Sequence, residues 1–217
     1  MRWCTIRSFP FRRDGGRRDL LKPHHGGGGL AEHHVMTANT PSTSPAQVAV
    51  LMVCMGNICR SPTAEGVLRR QLQEAGLEGW VRLDSAGTHA YHVGNPPDER
   101  AQDHARRRGY ELADLRARQI HDADFEQFDL ILAMDWDNLA LLEAECPDEP
   151  GLRHKLRRLT EFVPPQSPLA GAQVVPDPYY GGPEGFDHVL DLVEAACEGL
   201  VQHLRQRLSS TRGWPAQ

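Results

Sequence analysis

The chain has 217 residues, of which 40% are hydrophobic and 24% charged, with a formal net charge of −5. Those proportions are ordinary for a globular protein and exclude collagen-like, wholly disordered and disulfide-dense classes. The longest apolar run, residues 48–55, is too short for a bilayer core that takes about 20 residues, and the negative charge gives no reason to expect nucleic acid as a partner.

Residues 1–35 hold seven basic and three acidic side chains, a charge of +4 that leaves −9 for the remainder. They also hold His24-His25, four consecutive glycines and His33-His34, without apolar periodicity. Residues 1–45 are therefore predicted to form a disordered basic extension. Its paired histidines lack the spacing of a metal site, and its basic residues lack the apolar stretch of an export signal. Met36 is a candidate for the true start, since patterned sequence begins only after Ser44-Pro45. Five scattered cysteines, Cys4, Cys54, Cys59, Cys146 and Cys197, do not form the even framework of a secreted scaffold, so the expected setting is reducing and cytoplasmic, without membrane insertion.

The folded domain is expected over residues 46–210, followed by a short tail over 211–217. Residues 47–55 (QVAVLMVCM) read as a first strand buried on both faces. Ser61-Pro62-Thr63-Ala64-Glu65 reads as a capped helix start, with the helix ending near Ala75-Gly76. A second strand is predicted at 81–85, a helix at 98–108 stopped by Gly109, and a third strand at 129–134. A short helix at 136–145, a weaker strand at 156–159, a surface loop over 164–185 and a long helix at 186–208 complete the pattern. Val189, Val193, Ala196, Leu200, Leu204 and Leu208 line one face of that last helix. The predicted fold class is α/β: a small single-domain layered fold with a central parallel sheet flanked by helices and a phosphate loop after the first strand. The Arg106-Arg107-Arg108 cluster reads as a solvated helix face.

Chemistry concentrates in Cys54-Met55-Gly56-Asn57-Ile58-Cys59-Arg60-Ser61. A strand-to-helix turn aims backbone N–H groups at one point and adds the partial positive charge of the helix N-terminus, which suits an oxyanion such as phosphate. Arg60 supplies a planar fork for two phosphoryl oxygens, Gly56 permits a tight turn, and Asn57 tolerates a left-handed conformation. The same field favours a Cys54 thiolate, a nucleophile to which Ser61 can donate a hydrogen bond. Taken alone, a cysteine ending a strand is usually a core residue; the glycine, the arginine and the helix start move the reading toward function. Zinc binding by Cys54 and Cys59 would need a second ligand pair at matching spacing.

The segment from Val53 through Glu65, VCMGNICRSPTAE, resembles the signature of the low-molecular-weight protein tyrosine phosphatases. Asp84-Ser85-Ala86-Gly87-Thr88, Arg116-Ala117-Arg118-Gln119, Met134-Asp135 and Val175-Pro176-Asp177-Pro178-Tyr179-Tyr180-Gly181 resemble further family segments, in family order, so that the resemblance spans roughly residues 47–208. It implies a phosphatase acting on phosphotyrosine proteins and small aryl phosphates through a phosphocysteine on Cys54. Arg60 and the loop amides would hold the phosphoryl group, Asp177 would serve as general acid, and no metal or other cofactor would be needed. Met55, Gly56, Asn57, Ile58, Cys59 and Ser61 then belong to the substrate loop, with Tyr91 and Tyr179 as aromatic walls. By resemblance Cys59 would capture an oxidised Cys54 as a reversible disulfide, while Glu65, Asp84 and Asp135 support the site without acting as the acid. The family association also suggests a bacterial-type tyrosine kinase as partner, with the phosphatase a monomer or weak dimer.

One residue departs from the family pattern. Leu115 stands where many members carry a histidine that braces the loop asparagine, which leaves Asn57 to Ser61 and Ser85. Three alternatives stay open at this point. A protein arginine phosphatase would carry threonine in place of Ile58. An arsenate reductase would need relay cysteines, for which Cys146 and Cys197 are the candidates. A silent phosphotyrosine-binding module would need neither Cys54 nor Asp177.

Overall fold

The computed structural model describes residues 48–210. The basic extension, the Met36 question and the tail at 211–217 lie outside those residues. Four parallel strands, β1 (Val48–Cys54), β2 (Val81–Gly87), β3 (Leu130–Ala133) and β4 (Leu156–Arg158), form one sheet in the order β2-β1-β3-β4. Five α-helices accompany them: α1 (Arg60–Glu74), α2 (Glu99–Arg107), α3 (Asp122–Gln127), α4 (Trp136–Glu145) and α5 (Pro183–Ser209).

β1 is interior to the sheet and every one of its residues is buried, which is why its sequence is continuously apolar rather than alternating. Its side chains divide by parity. Val48, Val50, Met52 and Cys54 enter a core with Val67, Leu68 and Leu72 of α1 and the apolar face of α5. Ala49, Leu51 and Val53 enter a second core with Phe125, Phe128, Leu142 and Leu156. Helices therefore cover both faces of the sheet, the arrangement that parallel strands require. All six residues expected along the buried face of α5 are buried. Gly199 of that helix faces the carbonyl of Phe162 so closely that a Cβ would stand 1.9 Å from its oxygen.

Helix ends follow local chemistry. Gly76 and Gly109 adopt φ of 69° and 86° just past α1 and α2, a conformation that costs glycine little. Asp98 caps α2 by accepting the Arg100 N–H at 2.9 Å. Pro183 opens α5 three residues before the predicted start, as a proline at the first helical position can.

Four details differ from the sequence reading. Helix α1 begins at Arg60, and Ser61 does not cap it, because its hydroxyl is drawn into the site. α3 was not expected; at six residues it shows no period, and it is started by the Asp124 carboxylate accepting the His121 N–H at 3.0 Å. Two short 3-10 turns, Arg153–Lys155 and Leu159–Phe162, flank β4 for the same reason of length. The predicted surface loop over 164–185 is not wholly at the surface: Val175 is fully buried, and its N–H donates to the Met134 carbonyl at 2.7 Å. That bond ties the segment to the end of β3.

Candidate active site

At the carboxyl end of β1 the chain turns through residues 55–59 into α1, so Cys54 ends a strand and Arg60 begins a helix. The Cys54 sulfur is buried, 3.0 Å from the Ser61 hydroxyl, and accepts the Asn57 N–H at 3.3 Å. Asn57 has φ of 55°, the left-handed conformation that asparagine tolerates better than most residues. Its Nδ2 donates to the Ser61 and Ser85 hydroxyls, each at 2.9 Å, and its Oδ1 accepts the Arg118 N–H at 2.9 Å. Ser85 in turn donates to Glu65 at 2.7 Å. Burial pushes the Glu65 carboxyl above its ordinary range despite the donors from Ser85 and Arg69. The backbone of β2 closes the loop from the side: a Cβ at Gly87 would stand 2.7 Å from the Met55 oxygen, so only glycine permits that approach.

Arg60 is 3% exposed, and both of its terminal nitrogens are bonded. One terminal nitrogen donates to Asp135 and, at 3.3 Å, to the Val175 carbonyl, and the other donates to Asp177 at 2.7 Å. Burial works against its charge, but Cys54, Asp177 and Asp135 outweigh burial and hold the guanidinium above its usual range. Asp135 also caps α4 by accepting the Asn138 N–H at 2.7 Å. The Asp177 side chain is 44% exposed and accepts the Tyr179 N–H at 3.1 Å. Cys59 is buried, and burial, followed by Asp98, Cys54 and Asp177, drives its thiol well above the ordinary range.

A cavity of about 350 Å³ opens over these groups. Of the residues expected from sequence, Cys54, Met55, Gly56, Ile58, Cys59, Arg60, Tyr91, Asp177 and Tyr179 line it. Asn57 and Ser61 stand behind the wall and reach the cavity only through the Cys54 sulfur. Tyr91 is stacked on His89 with ring centroids 5.2 Å apart, and Tyr180 meets the Tyr179 ring edge-on at 4.9 Å. His92 and Tyr180 also line the cavity and were not expected; both lie beside expected residues, and their types carried no signal of their own. A larger, more open hollow of about 780 Å³ lies between α1 and α5, walled by Glu74, Glu194 and Glu198 among others. No thiol lines it, so chemistry rather than size selects the smaller cavity. Among the described residues, no three His, Cys, Asp or Glu side chains are grouped to hold a metal ion, and no helix is long and apolar enough to cross a membrane.

The arrangement can bind an oxyanion between a helix N-terminus and a buried guanidinium, with a sulfur below and a carboxyl above. A family model described as low molecular weight phosphotyrosine protein phosphatase matches residues 49–210. A low molecular weight protein-tyrosine-phosphatase of Streptomyces coelicolor is 42% identical over 160 residues, covering 73% of this chain and 94% of that protein. The corresponding YfkJ protein of Bacillus subtilis is 40% identical over 161 residues, covering 73% and 97%. The crystal structure of a protein tyrosine phosphatase from Entamoeba histolytica superposes with a TM-score of 0.69 at 39% identity, covering 74% of this chain and 99% of that one. A signature loop with this geometry, a family match across nearly all the described residues and relatives matched almost end to end lead to one conclusion: the chain belongs to the low molecular weight phosphotyrosine protein phosphatase family.

Proposed function

We propose that this chain hydrolyses phosphotyrosine in proteins, and small aryl phosphates, by two displacements at phosphorus. The Cys54 thiolate attacks the phosphoryl group: an S–P bond forms, the tyrosyl O–P bond breaks, and the Asp177 carboxyl gives its proton to the departing phenolate oxygen. Water then attacks the phosphocysteine, Asp177 takes up a proton from it, and the S–P bond breaks to release inorganic phosphate and the thiolate. Arg60 and the loop amides hold the equatorial oxygens, where charge accumulates in the transition state. Ser61 and the Asn57 N–H stabilise the sulfur as an anion, and Tyr91 and Tyr179 flank the substrate ring. The observation that carries this reading is the convergence of Cys54, Arg60 and Asp177 on one cavity, from elements far apart in sequence.

Ile58 favours phosphotyrosine over phosphoarginine as the resemblance has it. Arsenate reduction is disfavoured because Cys146 and Cys197 are buried in separate cores on opposite faces of the sheet, where they cannot pair with each other as a relay. A tyrosine kinase must supply the substrate. The four described cysteines, all unpaired, fit a reducing cytoplasm. The test is turnover of a phosphotyrosine peptide and a phosphoarginine peptide in excess chelator, with Cys54→Ser alongside. Chelator-resistant release from phosphotyrosine that vanishes in the variant is expected. Preference for phosphoarginine overturns the substrate, and binding without release overturns the enzyme.

A further inference from the structure

Arg100 in α2 spans the two loops that meet at the cavity. Its Nε donates to Asp98 Oδ1 at 3.0 Å and one terminal nitrogen donates to Asp98 Oδ2 at 2.9 Å. The other terminal nitrogen donates to the Tyr179 carbonyl at 3.0 Å. The guanidinium also lies over two rings, 4.9 Å from the Phe186 centroid and 5.3 Å from that of Tyr179. All its donating nitrogens are therefore committed, although the side chain is 45% exposed. Asp98 is anchored in turn, because its N–H donates to the Ile58 carbonyl at 2.8 Å inside the nucleophile loop. On the other side, the Tyr179 N–H donates to Asp177 Oδ1 at 3.1 Å. An unbroken series of bonds thus runs from Ile58 through Asp98, Arg100 and Tyr179 to Asp177.

We infer that Arg100 is a positioning residue for the reaction, fixing the reach of the Asp177 carboxyl over Cys54; this rests on the reading of Asp177 as the acid. The other hold on Asp177 is Arg60, whose donors a phosphoryl group also claims during turnover. Arg100 lies outside the cavity wall and faces no such competition. Arginine suits the place because a planar fork can serve a carboxylate and a carbonyl together while stacking on rings, which an ammonium cannot.

Proton donation matters most when the leaving group is poor. The informative quantity is therefore the ratio of kcat/KM for 4-nitrophenyl phosphate to that for phenyl phosphate, two substrates of one ring size, so that a loosened Tyr179 wall cancels. Arg100→Met is expected to raise this ratio about tenfold, since small misplacements of a catalytic group are costly. Asp177→Asn raises it further, and adding Arg100→Met to Asp177→Asn leaves it where Asp177→Asn alone puts it. Arg100→Lys, with one charged donor, falls between wild type and Arg100→Met. Inhibition by inorganic phosphate stays within about twofold of wild type in Arg100→Met, because the nucleophile loop keeps its own bonds. A wild-type ratio in Arg100→Met overturns the inference while the acid assignment stands. So does a further rise in the double variant, or a loss of phosphate inhibition as large as the change in ratio. A wild-type ratio in Asp177→Asn overturns the acid assignment, and the inference falls with it.

Discussion

Within residues 54–61 the polar side chains are buried and hydrogen-bonded. Asn57 alone holds Ser61, Ser85 and the Arg118 backbone, and Arg60 is sealed against Asp135 and Asp177. Across the cavity, Asp177, Tyr179 and Tyr180 are exposed around a buried Pro178: Asp177 is nearly half exposed and Tyr180 is 95% exposed. That stretch is held at a few points, by Arg60, by Arg100 and by the Val175 bond to the end of β3. The first loop is part of the core, and the second is a surface segment held at a few points and by one buried proline, Pro178. Damage to the first should therefore cost both chemistry and folding, whereas damage to the second should cost chemistry alone.

The largest effect separates the sulfur from its surroundings. Cys54→Ser keeps the volume and the strand end, so thermal stability should change little, while turnover of a phosphotyrosine peptide falls by about 10⁴-fold or more with loss of the nucleophile. A variant that folds, still binds inorganic phosphate and retains more than a few per cent of activity would remove the covalent step. Asp177→Asn comes next. The loss in kcat/KM is expected at about 10²–10³-fold, within the range for a positioned general acid, with the melting temperature unchanged because the side chain is exposed. A large drop in melting temperature would show that residues 177–180 are as structural as the nucleophile loop, and the contrast would fail.

Asn57 tests the opposite side of the comparison. Asn57→Ala places alanine at φ of 55° and strips partners from Ser61, Ser85 and the Arg118 N–H, for an expected loss of about 2–4 kcal/mol in urea unfolding. Asn57→Gly removes the same bonds without the backbone penalty, and should lie about 1 kcal/mol closer to wild type. Equal values for the two would mean that the left-handed turn carries no cost and that the bonds alone hold the loop.

The two sides also differed in how far the sequence disclosed them. The cysteine that ends the strand, the glycine, the asparagine, the arginine and the serine lie within eight consecutive residues, and each answers a local need, so physical chemistry alone moved the reading of this loop toward function. Asp177 lies 117 residues from the arginine it touches, and only the resemblance to a known motif singled it out over an ordinary turn aspartate. Arg100 gave no sign, because Asp98 with Arg100 reads as any capped helix start and its bond to Tyr179 spans 79 residues. Ser61 was misread as a cap because capping chemistry and sulfur solvation use the same hydroxyl, and only the approach of Cys54 and the Ala86 carbonyl decides between them. The strands and the four longer helices were legible from apolar run and period, whereas α3 was too short to show either.

The smallest expected effect lies beneath the nucleophile loop, at Glu65. Burial raises its folded pKa above the unfolded value of 4.5, the Ser85 and Arg69 donors offsetting only part of the cost of its charge. A raised folded pKa means that the native state binds the proton more tightly than the unfolded chain does. The stability it contributes is therefore fully present below the unfolded value and is lost as pH rises through the folded one. Wild-type unfolding free energy should accordingly decline across that window, and Glu65→Gln should flatten the decline. Ionised Glu65 accepts from the Ser85 hydroxyl, which leaves the Ser85 oxygen free to accept from Asn57. The carboxylate thus destabilises the core slightly while orienting the hydroxyl that holds the loop asparagine. Glu65→Gln should then gain stability relative to wild type at neutral pH yet lose turnover. A parallel pH dependence in the two proteins, or a variant with both higher stability and full activity, would show that loop order does not depend on that buried charge.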